Sequence, residues 1–140
     1  MKHFGIAVLT VLLACGLEAK ADDAPAEVQL AQPDPNAEYI QKPAWVKVPE
    51  EMELAAFQPT RAEGRGVSGG AVVDCKARPN GSLFDCRTLK VAPAGWEYED
   101  AGPAAAAHLY RLRPHLADGR SVSGLRVLVP VVWKTSEALH

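Results

Sequence analysis

The chain reads as an α+β domain, a three-stranded sheet in the order 2-1-3 with two helices on one face. Three observations predict it. Apolar and polar residues alternate on both sides of Pro79-Asn80-Gly81, which is turn chemistry, so residues 67–78 and 83–91 form a β-hairpin. An alanine-rich stretch, residues 103–113, has helical spacing and stops at Pro114. A third alternating run, residues 124–133, follows it. Strands that flank a crossover helix run parallel, and the gap between them is filled by the first strand.

The chain starts with an export signal, residues 1–21. Met1-Lys2-His3 is a short basic start, an apolar run follows, and Ala19-Lys20-Ala21 is an A-x-A cleavage site. The apolar run, about 14 residues, is shorter than the roughly 20 that a membrane-spanning helix needs. Leu12-Leu13-Ala14-Cys15 also resembles the lipobox of bacterial lipoproteins, so lipidation of Cys15 is the alternative to cleavage after Ala21. By either route the remainder leaves the reducing cytoplasm for a compartment in which disulfides persist. Residues 22–44 are rich in Ala, Pro, Asp and Glu, lack apolar periodicity, and read as a disordered or extended linker. Trp45 marks the start of packing, in a domain of residues 45–134 followed by a tail, residues 135–140.

Within the domain, Pro49 and the acids Glu50, Glu51 and Glu53 suit a helix start. That helix buries a narrow face of Met52, Ala55, Ala56 and Phe57, and Pro59 ends it. In the hairpin, Cys75 is set opposite Cys86, Asp74 opposite Arg87 and Lys76 opposite Asp85, with Val73 facing Thr88 and Val72 facing Leu89. Two cross-strand charge pairs support this register. A one-residue slip loses both and sends the two thiols to opposite faces. The loop is read as four residues, 79–82, with Arg78 and Leu83 closing it. A Cys75–Cys86 disulfide follows, on the helix-covered face with Val73 and Ala77, while Asp74, Lys76 and Arg78 point the other way.

Residues 96–102 read as a loop, with Trp96 and Tyr98 either a lid on the core or exposed contacts. In the second helix, residues 103–113, Ala105, Ala106, Leu109 and Leu112 share a side. Asp118-Gly119 then turns the chain. The third strand puts Leu125, Val127, Val129, Val131 and Trp133 on one face. Its other side carries Arg126, Leu128, Pro130 and Val132. Pro130 makes it an edge strand, because proline inside a sheet is confined to edges and bulges.

Little here points to catalysis. The formal net charge of -2 offers no electrostatic case for nucleic acid. Gly66-Val67-Ser68-Gly69-Gly70 fits G-x-S-x-G, but that motif needs a strand before the serine and a helix after it. A strand follows here, so the glycines mark a flexible strand start. His108 and His115 are separated by Pro114, and the cysteine spacing fits no zinc pattern, so no metal or cofactor is expected. The acids Glu97, Glu99 and Asp100 read as solvated. Arg111, Arg113, Arg120 and Arg126 read as scattered surface arginines, a small basic surface being the sharper alternative. No acid, base and nucleophile converge, so the chain is not expected to be an enzyme.

Residues 45–133 carry, in order, Pro59-Thr60-Arg61-Ala62, the Gly66 to Gly69 pair, the Asn80-Gly81 hairpin and Pro93-Ala94-Gly95. The alanine-rich helix into Arg113-Pro114, Asp118-Gly119, and Val129-Pro130-Val131-Val132-Trp133 follow. In this order and spacing the stretch resembles the C-terminal domain of TonB-type energy transducers. The resemblance implies a periplasmic module that binds an extended peptide of an envelope protein, the TonB box of a TonB-dependent receptor, by adding a strand along its third strand. Arg126, Leu128, Pro130 and Val132 are then the partner-binding positions. In TonB itself a transmembrane helix couples this module to an ExbB–ExbD motor. This chain shows no such anchor and its linker is short, so a motor role is not expected. Pro130 also lacks the N–H that strand addition would use if its nitrogen faces outward. A homodimer or other envelope structure built on the same edge is the alternative, and a membrane is reached only in the alternative where Cys15 is lipidated.

Overall fold

The computed structural model describes residues 30–134. The export signal, Cys15 and the tail lie outside the described residues. The elements are β1 (Trp45–Lys47), α1 (Glu51–Ala55), α2 (Thr60–Gly64), β2 (Gly69–Ala77), β3 (Leu83–Ala92), α3 (Tyr98–Leu109), β4 (Arg111–Leu112) and β5 (Arg126–Trp133). The main sheet has the order β3-β2-β5, with both pairings antiparallel, which is the order expected from the crossover argument. A small second sheet, β1 with β4, was not anticipated.

One face of the main sheet is the core. Ala71, Val73, Cys75 and Ala77 of β2 and Val127, Val129, Val131 and Trp133 of β5 are buried there with Tyr98, Ala105, Ala106 and Leu109 of α3. Alternation of period two puts every second residue on that face, as read from the sequence. The helix lies close: a Cβ on Gly102 would stand 2.9 Å from the Ala71 Cβ and 3.0 Å from Val73 Cγ2.

The disulfide Cys75–Cys86 forms, with Cα atoms 4.1 Å apart. Val73 faces Thr88 and Asp74 faces Arg87 as expected, but the register slips elsewhere. Lys76 faces Phe84 rather than Asp85, and Val72 faces Lys90 rather than Leu89. The turn causes the first slip. Instead of a four-residue loop, Arg78 N–H donates to Ser82 C=O (2.8 Å) and Gly81 sits at φ +89°. This is the three-residue hairpin whose last position needs a left-handed glycine. A bulge at Asp85, itself at φ 49°, restores the expected pairing at Asp74. A second bulge, beside Leu89, shifts the far end again. Bulges re-aim side chains, and Asp85 is turned by its own.

Three other expectations are corrected. The second helix starts at Tyr98, not at Pro103, so residues 98–102 are helical rather than loop. It ends at Leu109, because Leu112 N–H donates to Gly81 C=O (2.9 Å) and draws that segment into β4. The first helix is shorter than expected and buries no residue completely. Met52 is 85% exposed. The partly buried members of that region are Leu54 and Phe57, and the Trp133 indole N–H donates to Leu54 C=O at 2.7 Å.

Packing also begins well before Trp45. Residues 31–40 lie along the sheet, and the cluster Pro33-Asp34-Pro35-Asn36 forms a turn rather than a free linker. Ala37 N–H donates to Asp34 C=O (3.2 Å), and the Asp34 carboxylate accepts from Asn36 N–H (2.9 Å). Prolines and Asx turns give such a stretch local shape without any apolar period.

Candidate functional site

β5 is the outer strand of the sheet, and its hydrogen-bond parity follows from one bond. Ala77 N–H donates to Leu125 C=O (2.9 Å). Continuing this antiparallel register, Val127, Val129, Val131 and Trp133 bond inward to β2. Arg126, Leu128, Pro130 and Val132 therefore direct their backbone groups outward. The nitrogen of Pro130 faces the edge, so a ladder added there lacks one donor. The outward carbonyl of Pro130 accepts from the Tyr110 hydroxyl (3.2 Å). Leu128 and Val132 present apolar side chains, 44% and 56% exposed.

The start of that edge is already paired. Tyr39 bridges Arg126 in parallel orientation. Arg126 N–H donates to Glu38 C=O (3.0 Å), and Ile40 N–H donates to Arg126 C=O (2.8 Å). The strap then bends away at residues 41–42. Farther back, Ala31 N–H donates to Thr88 C=O on β3 (2.8 Å). Residues 31–40 thus cross the sheet on the face away from α3.

Beneath the strap lies a polar cluster. Asp74, on the central strand, is 0% exposed although it points away from the helices. Its Oδ1 accepts from Arg126 Nε (2.6 Å), and Oδ2 accepts from the Tyr39 hydroxyl and lies 3.5 Å from Arg87 Nη2. The Tyr39 oxygen in turn accepts from Asp34 N–H (2.8 Å). Arg126 also donates to the Asp85 carboxylate (3.2 Å) and carbonyl (2.9 Å), which the bulge has brought round. Burial opposes the Arg126 charge, but the hydrogen bonds to Asp74 and Asp85 outweigh it and raise its pKa above the ordinary arginine value. Two carboxylates meet two guanidinium groups, so the cluster is balanced in charge.

Arg126 is therefore 6% exposed and committed inward, while Leu128, Pro130 and Val132 line the edge. The other surface arginines, Arg111, Arg113 and Arg120, are exposed, and Arg120 pairs with Glu38 (2.9 Å) and Asp118 (3.0 Å). Past Pro130 the same face opens into an apolar groove of about 520 Å³, lined by Leu30, Gly70, Val72, Val91, Pro130 and Val132. Tyr98 is a buried core residue whose hydroxyl donates to Val67 C=O, and Trp96 stacks under Arg61 at 4.5 Å. β2 begins immediately after Ser68, the arrangement opposite to a nucleophile elbow. His108 packs on Phe57 with ring centres 5.5 Å apart, whereas His115 bridges Ser121. Among the described residues no group of three or more His, Cys, Asp or Glu could hold a metal ion. Among them also, no helix is long and apolar enough to cross a membrane.

Sequence reasoning missed Tyr39 and the burial of Asp74. The available signal was Tyr39-Ile40, an aromatic and a large aliphatic residue together in a stretch otherwise rich in Pro, Ala and acids.

No family model matches the chain. No curated protein matches it either. Among solved structures, the solution NMR structure of the Pseudomonas aeruginosa TonB C-terminal domain is similar, with 16% identity and a TM-score of 0.48. It covers 72% of this chain and 96% of that one. The TonB2 protein of Vibrio anguillarum is similar with 19% identity and a TM-score of 0.40, over 81% of this chain and 94% of that one.

Proposed function

We propose that this chain is an exported protein-binding module that takes up an extended peptide of an envelope partner along the outer edge of β5. One observation carries the reading: the same edge already accepts an extended segment, through two backbone hydrogen bonds at Arg126. Beyond it, Leu128 and Val132 offer apolar side chains and outward backbone groups. Strand addition draws its affinity from such main-chain bonds and its specificity from alternate side chains. The resemblance in the sequence supports a TonB-box segment of a receptor as the peptide and the periplasm as the location. Because Pro130 interrupts the donors, the added ladder is short, and affinity depends on the apolar side chains around it.

Placing a photo-crosslinking residue at Leu128 or Val132 in intact cells tests this. Adducts with a TonB-box peptide of an outer-membrane receptor are the expected result. Adducts made only with a second copy of the chain would replace this reading with self-association.

A further inference from the structure

We propose that residues 31–40 are a built-in ligand of the sheet, which holds the first part of the β5 edge closed until an extended peptide displaces it. The inference rests on the strand-addition reading above and adds a control on that edge. The strap pairs in parallel with Arg126, so it occupies the position from which any peptide in the same orientation would extend along Leu128. Its hold is polar and small. Ile40 is its sole buried residue, and the rest depends on a few backbone bonds, the Tyr39 hydroxyl and the exposed Arg120–Glu38 pair.

Leaving costs the cluster little. Tyr39 brings a neutral hydroxyl, so its departure strands no charge: Asp74 keeps Arg126 and Arg87, and Arg126 keeps Asp85. What opens is the Asp74 Oδ2 acceptor beside the unpaired backbone of Arg126. The surface therefore fits an extended segment of the kind the strap itself displays, an acid, then a tyrosine or other hydrogen-bond donor, then an aliphatic residue. Weakly held segments with few buried apolar contacts open locally without global unfolding.

A fluorescently labelled synthetic peptide of residues 30–42 is the probe, added to the full-length mature chain as wild type and as the Ile40→Pro and Tyr39→Phe variants. A tethered strap competes at high effective concentration. Opened variants are therefore expected to bind the peptide about tenfold more tightly than wild type, or better. Variants with native circular dichroism and an intact disulfide that bind no more tightly than wild type would overturn the inference. Hydrogen exchange on the wild-type chain supplies a second readout. The Arg126 amide should exchange through local opening, faster than the inward amides of Val127 and Val129, and exchange only by global unfolding counts against a displaceable strap. The two readings separate cleanly. Receptor adducts at Leu128 combined with equal peptide binding sink the strap alone, whereas tighter binding by the variants without any envelope adduct sinks the partner and leaves the strap.

Discussion

The hydroxyl of Thr88 donates to the carbonyl of Glu99 at 2.6 Å, in the place of the N–H that Pro103 lacks. In a helix the residue four positions on bonds this carbonyl, and proline cannot. A strand side chain thus completes the helix and ties α3 to β3. Thr88→Val keeps the shape but leaves the carbonyl without its partner. It should destabilise the fold by ~1–3 kcal/mol in chemical denaturation, with Thr88→Ser close to wild type.

The Asp74–Arg126 pair should behave as a buried ion pair. Asp74→Leu alone is expected to cost ~3–5 kcal/mol, since a buried guanidinium then loses its main partner. Adding Arg126→Met should recover most of that loss, because an apolar pair of similar volume is often near neutral. Losses that simply add in the double-mutant cycle would contradict the coupling. Tyr39→Phe, which removes one bond from a carboxylate that keeps both guanidinium partners, should cost only ~0.5–1.5 kcal/mol.

Joining Cys75 to Cys86 closes a short loop, with a sequence separation of 11. Closing a loop of this size stabilises by roughly 2–4 kcal/mol. The Cys75→Ala, Cys86→Ala double variant should melt roughly 10–20 °C below the oxidised protein. An intact mass of the mature chain checks the bond, and reports cleavage and lipidation in the same measurement.

Glu53 links β1 to α1. Its carboxylate accepts from Lys47 Nζ (2.6 Å) and from Glu50 N–H (3.0 Å), and these two bonds, the lysine first, lower its pKa. A lowered carboxylate pKa stabilises the fold above the ordinary glutamate range, and that contribution disappears as pH falls through the lowered value. NMR titration should find Glu53 below the ordinary value and Lys47→Met should move it back up. An unchanged titration in that variant would assign the shift to the helix start instead.

Much of the fold was legible because it is local. The alternation of residues 69–77 and 126–133 and the proline in an outer strand follow from period-two geometry, whereas the expected Cys75–Cys86 pairing is kept because the bulge at Asp85 offsets the shorter turn. The edge itself was legible for the same reason. The tertiary structure decided the rest, where a polar group is satisfied by a residue far away in the chain. The start of α3 depends on Thr88 from another strand, and the aim of Asp85 depends on a bulge created by the turn. The burial of Asp74 depends on Tyr39, thirty-five positions earlier, in a segment with no periodicity to announce it. Hydrophobic patterning is written in neighbours, whereas the partners of buried polar groups exist only once the chain has folded.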